Sequence, residues 1–137
     1  MQMNDRLRRL IADEIDCCDA EEIDQCRWAN VEERLNVLQD LKVDTKDRIH
    51  DEDLRAVSKL GNETRHTIIR LLVAADKDLC VCELEPLLDV SASALSHALS
   101  DLSSAGLVDR QKRGKWRFYQ PTERARALVN AIDATRR

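Results

Sequence analysis

The sequence predicts a mainly α chain with one small β-hairpin near its C-terminal end. Three observations predict it. From Asp51 onward, apolar residues recur at helical spacing in four successive segments. Two short strand-like runs, 107–111 and 115–120, then flank a turn at Lys112, Arg113 and Gly114, where glycine supplies the positive φ of a tight hairpin. Pro121 opens a last helical segment over 122–135.

The elements follow in order. Residues 4–16 read as a short amphipathic helix with Leu7, Leu10, Ile11 and Ile15 on one face, and 24–41 as a second with Trp28, Val31, Leu35, Leu38 and Leu41. Residues 43–50 are polar and read as an exposed joint. The chain is therefore expected to hold an N-terminal helical extension, 1–50, and a second domain, 51–137. In the latter, Leu54, Val57 and Leu60 form one helical face that ends near Gly61. Asn62 and Thr64 offer caps for 65–75, where Ile68, Ile69, Leu71 and Leu72 supply core. A short helix over 82–88 tolerates Pro86 only if it falls in the first turn or so, where backbone donors lack intrahelical partners. Ser91 starts a helix to Ser104 with Leu95, Leu99 and Leu102 inward, and Gly106 stops it. Helices, hairpin and closing helix in this order make a winged helix-turn-helix.

Composition narrows the function classes. Only four aromatics occur (Trp28, Trp116, Phe118, Tyr119), so the core must be aliphatic. No apolar run approaches the roughly 18 residues that span a bilayer, and residues 1–15 lack a secretion signal's apolar stretch. A cytoplasmic protein with no membrane partner is expected. Five cysteines in such a compartment point to metal, metalloid or redox chemistry rather than a disulfide framework. A lone cysteine such as Cys26 is equally readable as a small buried hydrophobe. Net charge is −4, yet residues 106–137 carry nine basic and three acidic groups, a local net of +6. Phosphate contacts need a local basic surface, not a basic protein. Sixteen arginines against six lysines, with abundant Asp, also hint at a salty cytoplasm.

Two constellations carry chemistry. Ser91, Ser93, Ser96, His97 and Ser100 offer short polar side chains to base edges while the leucines bury the other face. A merely solvated serine-rich helix is the bland reading, and the flanking short helix and hairpin weigh against it. The hairpin adds Arg110, Lys112, Arg113, Lys115 and Arg117, five cations in eight residues, suited to phosphates or the minor groove. Just upstream, Cys80-Val81-Cys82 places two thiols where they can close on a single soft ion beside that reader.

Residues from about 51 to 133 resemble the ArsR/SmtB family of dimeric metal-sensing repressors. Leu60-Gly61-Asn62-Glu63-Thr64-Arg65-His66 looks like the family's helix-opening motif. Ser91-Ala92-Ser93-Ala94-Leu95-Ser96-His97 and Ala105-Gly106-Leu107-Val108 are similar to its reader helix, Ala94 included, and exit turn. Asp78-Leu79-Cys80-Val81-Cys82-Glu83-Leu84 matches the thiol box of arsenic- and cadmium-responsive members. The resemblance implies a homodimer on double-stranded operator DNA, with As(III)/Sb(III) or Cd(II)/Pb(II) as inducer and no organic cofactor. Where the family often has histidine, Ala98 stands, leaving His97 beside it. Arsenic repressors that draw three thiols from one helix have their third cysteine where Glu85 stands here, and carboxylate is a poor substitute for thiolate. The resemblance to cadmium- and lead-responsive members implies that Cys17, Cys18 or Cys26 of the extension supplies the missing donors. Zinc, cobalt and nickel sensors of the family use Asp/His pairs on the last helix; Glu123 and Asp133 lie there without histidine, and His50, His66 and His97 form no pair.

Other readings stand beside the ion-responsive repressor. One is a thiol redox sensor in which Cys80 or Cys82 bridges to an N-terminal cysteine; another is a constitutive DNA-binding protein. A thiol enzyme is disfavoured by the absence of C-x-x-C spacing and of any βαβ pattern.

Overall fold

The computed structural model describes residues 5, 6, 9, 10 and 31–137. It divides the chain into two compact units, Met1–Ile49 and His50–Arg137. In the first, Asp5, Arg6, Arg9 and Leu10 are helical, and α1 spans Val31–Lys46. No glycine or proline interrupts that stretch, so the helix continues past Leu41 into the polar segment that reads as a joint. The remainder of the expected first two helices, including Trp28, lies outside the described residues.

The second unit is built from α2 (Asp51–Leu60), α3 (Glu63–Ala75), β1 (Leu79–Cys80), α4 (Val81–Leu84), a 3₁₀ turn (Glu85–Leu87), α5 (Ala92–Ser104), β2 (Val108–Arg113), β3 (Trp116–Pro121) and α6 (Glu123–Thr135). Capping sets the boundaries. Asn62, Ser91 and Thr122 sit in extended backbone, and each side chain accepts the amide three residues on, from Arg65, Ala94 and Ala125 respectively. Asp76, with φ 55°, ends α3 in the left-handed conformation that Asp tolerates better than most residues. Gly106, with φ 71°, closes α5, and the Leu107 amide reaches back 3.0 Å to the Leu102 carbonyl.

The core has few aromatics, as the composition requires. Ile68, Ile69 and Leu72 of α3 meet Leu95, Leu99 and Leu102 of α5, all fully buried, with Leu84, Leu107, Tyr119, Ala125 and Val129 around them. Leu71 is only partly buried. The stripe on α2 divides: Leu60 and Ala56 turn inward, whereas Leu54 and Val57 face solvent, as does Ile132 on α6.

The three strands form one antiparallel sheet in the order β1-β3-β2. β1 is too short for any alternation pattern, and its residues read from sequence only as the approach to a helix. Arg113 pairs with Trp116, so the two-residue turn is Gly114-Lys115 rather than a turn centred on Arg113. Gly114, with φ 62°, takes the first of the two turn positions, and β2 therefore extends to Arg113. Pro121 ends β3 opposite Val108, and Thr122 opens the last helix in its place.

A Cβ added at Gly106 meets nothing within 4 Å, so only the backbone conformation opposes a side chain there. Gly106→Ala is expected to lower stability by about 1 kcal/mol, read as a shifted urea midpoint with unchanged slope.

Candidate thiol site and nucleic-acid interface

α5 presents two faces. Leu95, Ala98, Leu99 and Leu102 are buried, whereas Ser93, Ser96, His97 and Ser100 lie exposed at the complementary spacing, with Ala94 exposed beside them. Ser91 stands apart, because its hydroxyl accepts the Ala94 amide at 3.1 Å and is engaged as the cap. Ala98 points into the core, so its smaller side chain is a matter of packing rather than of direct presentation to DNA. His97 is open to solvent, at 82% side-chain exposure, and its Nε2 lies 3.7 Å from Asp101 Oδ2 one turn on.

Asp101 carries no sequence signal of its own, yet it gathers cations from two other helices. Lys59 Nζ lies 3.7 Å and Arg65 Nη1 3.5 Å from its carboxylate oxygens. The Arg65 Nε–H also donates to the Lys59 carbonyl at 2.7 Å, satisfying an orphan acceptor at the end of α2. Each partly exposed ion pair stabilises little alone. Together they hold α5 in register with α2 and α3.

The register of the wing sorts its cations. Directly paired residues share a face of a sheet, and successive residues alternate. Arg110 pairs with Tyr119 and Lys112 with Arg117, while Leu79 pairs with Tyr119 from the other side. Arg110, Lys112 and Arg117 therefore share one face. Arg110 and Arg117 line a cleft of 680 Å³ with Ser96, Ser100 and Ser103 of α5. Gln111 pairs with Phe118, Arg113 with Trp116, and Cys80 with Phe118, which puts Arg113 on the opposite face with the thiol. Lys115 sits in the turn. Among the described residues, no ion pair engages Arg110, Lys112, Lys115 or Arg117, whereas Arg113 Nη2 donates to Asp78 Oδ2 at 2.8 Å and to Gln111 Oε1 at 2.7 Å.

The thiol pair lies where β1 passes into α4. Cys80 is 4% exposed and Cys82 is open to solvent. Their Cα atoms are 5.3 Å apart and the two sulfurs are joined as a disulfide. A backbone that lets two sulfurs bond also lets two thiolates, once reduced, face one ion. Glu85 is exposed in the 3₁₀ turn, and no group of three or more His, Cys, Asp or Glu that could hold a metal occurs among the described residues. Cys17, Cys18 and Cys26 lie outside those residues.

On the last helix, Asp133 is already engaged by arginines, accepting from Arg70 at 2.7 Å and from Arg136 at 2.8 Å. The Arg70 hydrogen bond holds its carboxyl below the usual carboxylate range, with the charges of Arg70 and Arg136 acting the same way. A depressed carboxylate contributes its stability above the unfolded value and loses it as pH falls through the folded one. Arg70 Nε also donates to His66 Nε2 at 3.0 Å.

A helix with a polar, exposed face packed beside a two-stranded cationic wing defines a winged helix-turn-helix DNA-binding regulator. The sequence profile described as "Bacterial regulatory protein, arsR family" matches residues 62–110. A Halobacterium salinarum protein provisionally named an arsenical resistance operon repressor is 46% identical over 137 residues, spanning 100% of both chains. The Listeria innocua cadmium resistance regulator CadC is 40% identical over 60 residues, 44% of this chain and 50% of that one. A Mycobacterium bovis structure, described as a homodimeric winged helix-turn-helix DNA-binding domain, superposes with a TM-score of 0.58 at 25% identity, covering 66% of this chain and 83% of that one. The chain belongs to the ArsR family, a family of transcriptional regulators and not of enzymes. No helix among the described residues is long and apolar enough to cross a membrane.

Ser91→Ala is expected to cost about 1 kcal/mol through the lost cap, and Ser91→Gly only a few tenths. Equilibrium urea unfolding of the two variants checks the order.

Proposed function

We propose that this chain is a cytoplasmic homodimeric repressor that leaves its operator when a thiophilic ion is taken by Cys80 and Cys82. The observation that carries the reading is the meeting of the two sulfurs at the end of a strand that belongs to the wing's own sheet. Paired sulfur donors suit As(III), Sb(III), Cd(II) and Pb(II), and suit oxygen-seeking ions poorly. The full-length likeness to a protein named for arsenical resistance, and the partial one to a cadmium regulator, support the same inducer class. Two donors leave such ions under-coordinated, so Cys17, Cys18 or Cys26 completes the set, from the same chain or from the second copy.

Ser93, Ala94, Ser96 and His97 would meet base edges, and Arg110, Lys112, Lys115 and Arg117 the phosphates. The seam of the dimer would involve α2 and α6, where Leu54, Val57 and Ile132 present apolar surface. A groove of 480 Å³ lined by Val57 and Leu60 of α2, His66 of α3 and Ile132 of α6 adjoins that surface and supports the seam. Thiolates are the ligands, so ion uptake releases protons and weakens as pH falls.

The disulfide favours a second reading, a redox sensor, with the bridge inside the thiol box rather than to an N-terminal cysteine. One thiolate would attack a hydroperoxide to give a sulfenic acid, and the other thiol would displace water to close the bond. Peptide mapping after mild peroxide, alongside DNA affinity, separates the two. A Cys80–Cys82 bridge with altered affinity supports redox sensing, and an unchanged affinity removes it.

For the leading reading, fluorescence anisotropy of labelled promoter DNA with reduced protein is titrated with arsenite and, separately, Cd(II). Release by either ion is expected, together with retained DNA binding but no release for Cys80→Ser. Normal release from Cys80→Ser would overturn the site.

A further inference from the structure

We infer that Arg113 is not a phosphate contact but a positioning residue, which ties the wing to the segment carrying the thiols and transmits ion binding to the DNA-facing cations. The inference rests on the reading of Cys80 and Cys82 as ion ligands and adds to it a route and a residue.

Three observations carry it. The register puts Arg113 on the face of the wing opposite Arg110, Lys112 and Arg117, the same face as Cys80 and Phe118. A residue on that face cannot join its hairpin neighbours at one phosphate backbone without turning the strand over. Its guanidinium is also already engaged on several sides. Nη2 donates to Asp78 Oδ2 and Gln111 Oε1, and the group lies 4.9 Å over the Phe118 ring. Charge-assisted hydrogen bonds and a cation–π contact leave little reason for it to swing toward DNA. Finally, Asp78 stands two residues before Cys80, on the lead-in to β1, and Phe118 is the cross-strand partner of Cys80. Arg113 thus grips both the chain entering the thiol box and the strand opposite it.

The consequence is mechanical. Drawing Cys80 and Cys82 toward an ion displaces β1 against β3, since the two are hydrogen-bonded neighbours. β3 carries Arg117 on the other face, opposite Lys112. With Arg113 bound to Asp78, a shift of β1 moves the wing as a piece. Without that bond, β1 can adjust through the short loop from Asp76 to Asp78 and leave the cations in place. The coupling between sites, not the affinity of either, is what Arg113 sets.

The test compares full-length reduced wild type with Arg113→Gln, Arg113→Lys, Asp78→Asn and Lys112→Gln. Anisotropy of a labelled promoter duplex gives the dependence of log affinity on log salt, and the ratio of affinities without and with Cd(II). Thiolate-to-Cd(II) charge-transfer absorbance reports ion uptake separately. Lys112→Gln should reduce the salt slope by about one. Arg113→Gln and Asp78→Asn should leave the slope and the ion uptake unchanged while the affinity ratio falls about fivefold. Arg113→Lys keeps the charge but loses the planar fork, so it should fall with Arg113→Gln in that ratio. A slope lowered by about one in Arg113→Gln and restored in Arg113→Lys would overturn the inference, as would an undiminished ratio in all three variants. If wild type ignores Cd(II) and arsenite alike, the ion-sensing reading fails, and the salt slopes still decide whether Arg113 touches phosphate. Should Arg113→Gln fold poorly, Asp78→Asn and Arg113→Lys carry the comparison.

Discussion

The pairing of Leu79 and Cys80 with Tyr119 and Phe118 is the constraint on which the arrangement depends. Two residues of β1 make the hairpin a three-stranded sheet and anchor it to the core. Leu79 and Tyr119 are both buried, so the inner half of the sheet is held by apolar packing as well as by the backbone ladder. The same pairing seats Cys80 in the structure of the wing rather than on a separate loop. A ligand at the thiols and a phosphate at the wing would therefore act on one sheet from its two faces.

The period of two does the rest. In β2 and β3 the alternation puts Arg110, Lys112 and Arg117 on one face, where Arg110 and Arg117 line the cleft beside α5, and Gln111, Arg113 and Trp116 on the thiol side. A helix in place of the hairpin would smear these charges around its circumference. The sheet keeps a cationic face and a thiol-bearing face back to back, separated by one layer of backbone. Differential contact in two states is what any effector needs to shift an equilibrium, and a shared strand is a physical carrier for it.

Much of the fold was legible because the deciding signals are local. Asn62 and Ser91 mark helix starts, Gly106 a stop and Gly114 a hairpin turn, and Leu95, Leu99 and Leu102 fall on the buried face by spacing alone. Cys80 and Cys82 are recognisable as a pair because two residues suffice to bring their sulfurs together. β1 was hidden, since two residues cannot show alternation and their partner lies about forty positions on. Composition centres the turn on Arg113, ahead of its actual position at Gly114-Lys115, and so does not show which hairpin cations share a face. The Asp78–Arg113 pair and the gathering of Lys59, Arg65 and His97 at Asp101 join distant positions, for which local pattern gives no sign.

If thiol ligation and DNA binding are coupled as proposed, the coupling is reciprocal. The most direct measurement is the Cd(II) affinity of the reduced protein, by competition with a chelator, with and without saturating promoter duplex. DNA is expected to weaken Cd(II) binding by the same factor by which Cd(II) weakens DNA binding. An ion affinity that DNA leaves unchanged would contradict it.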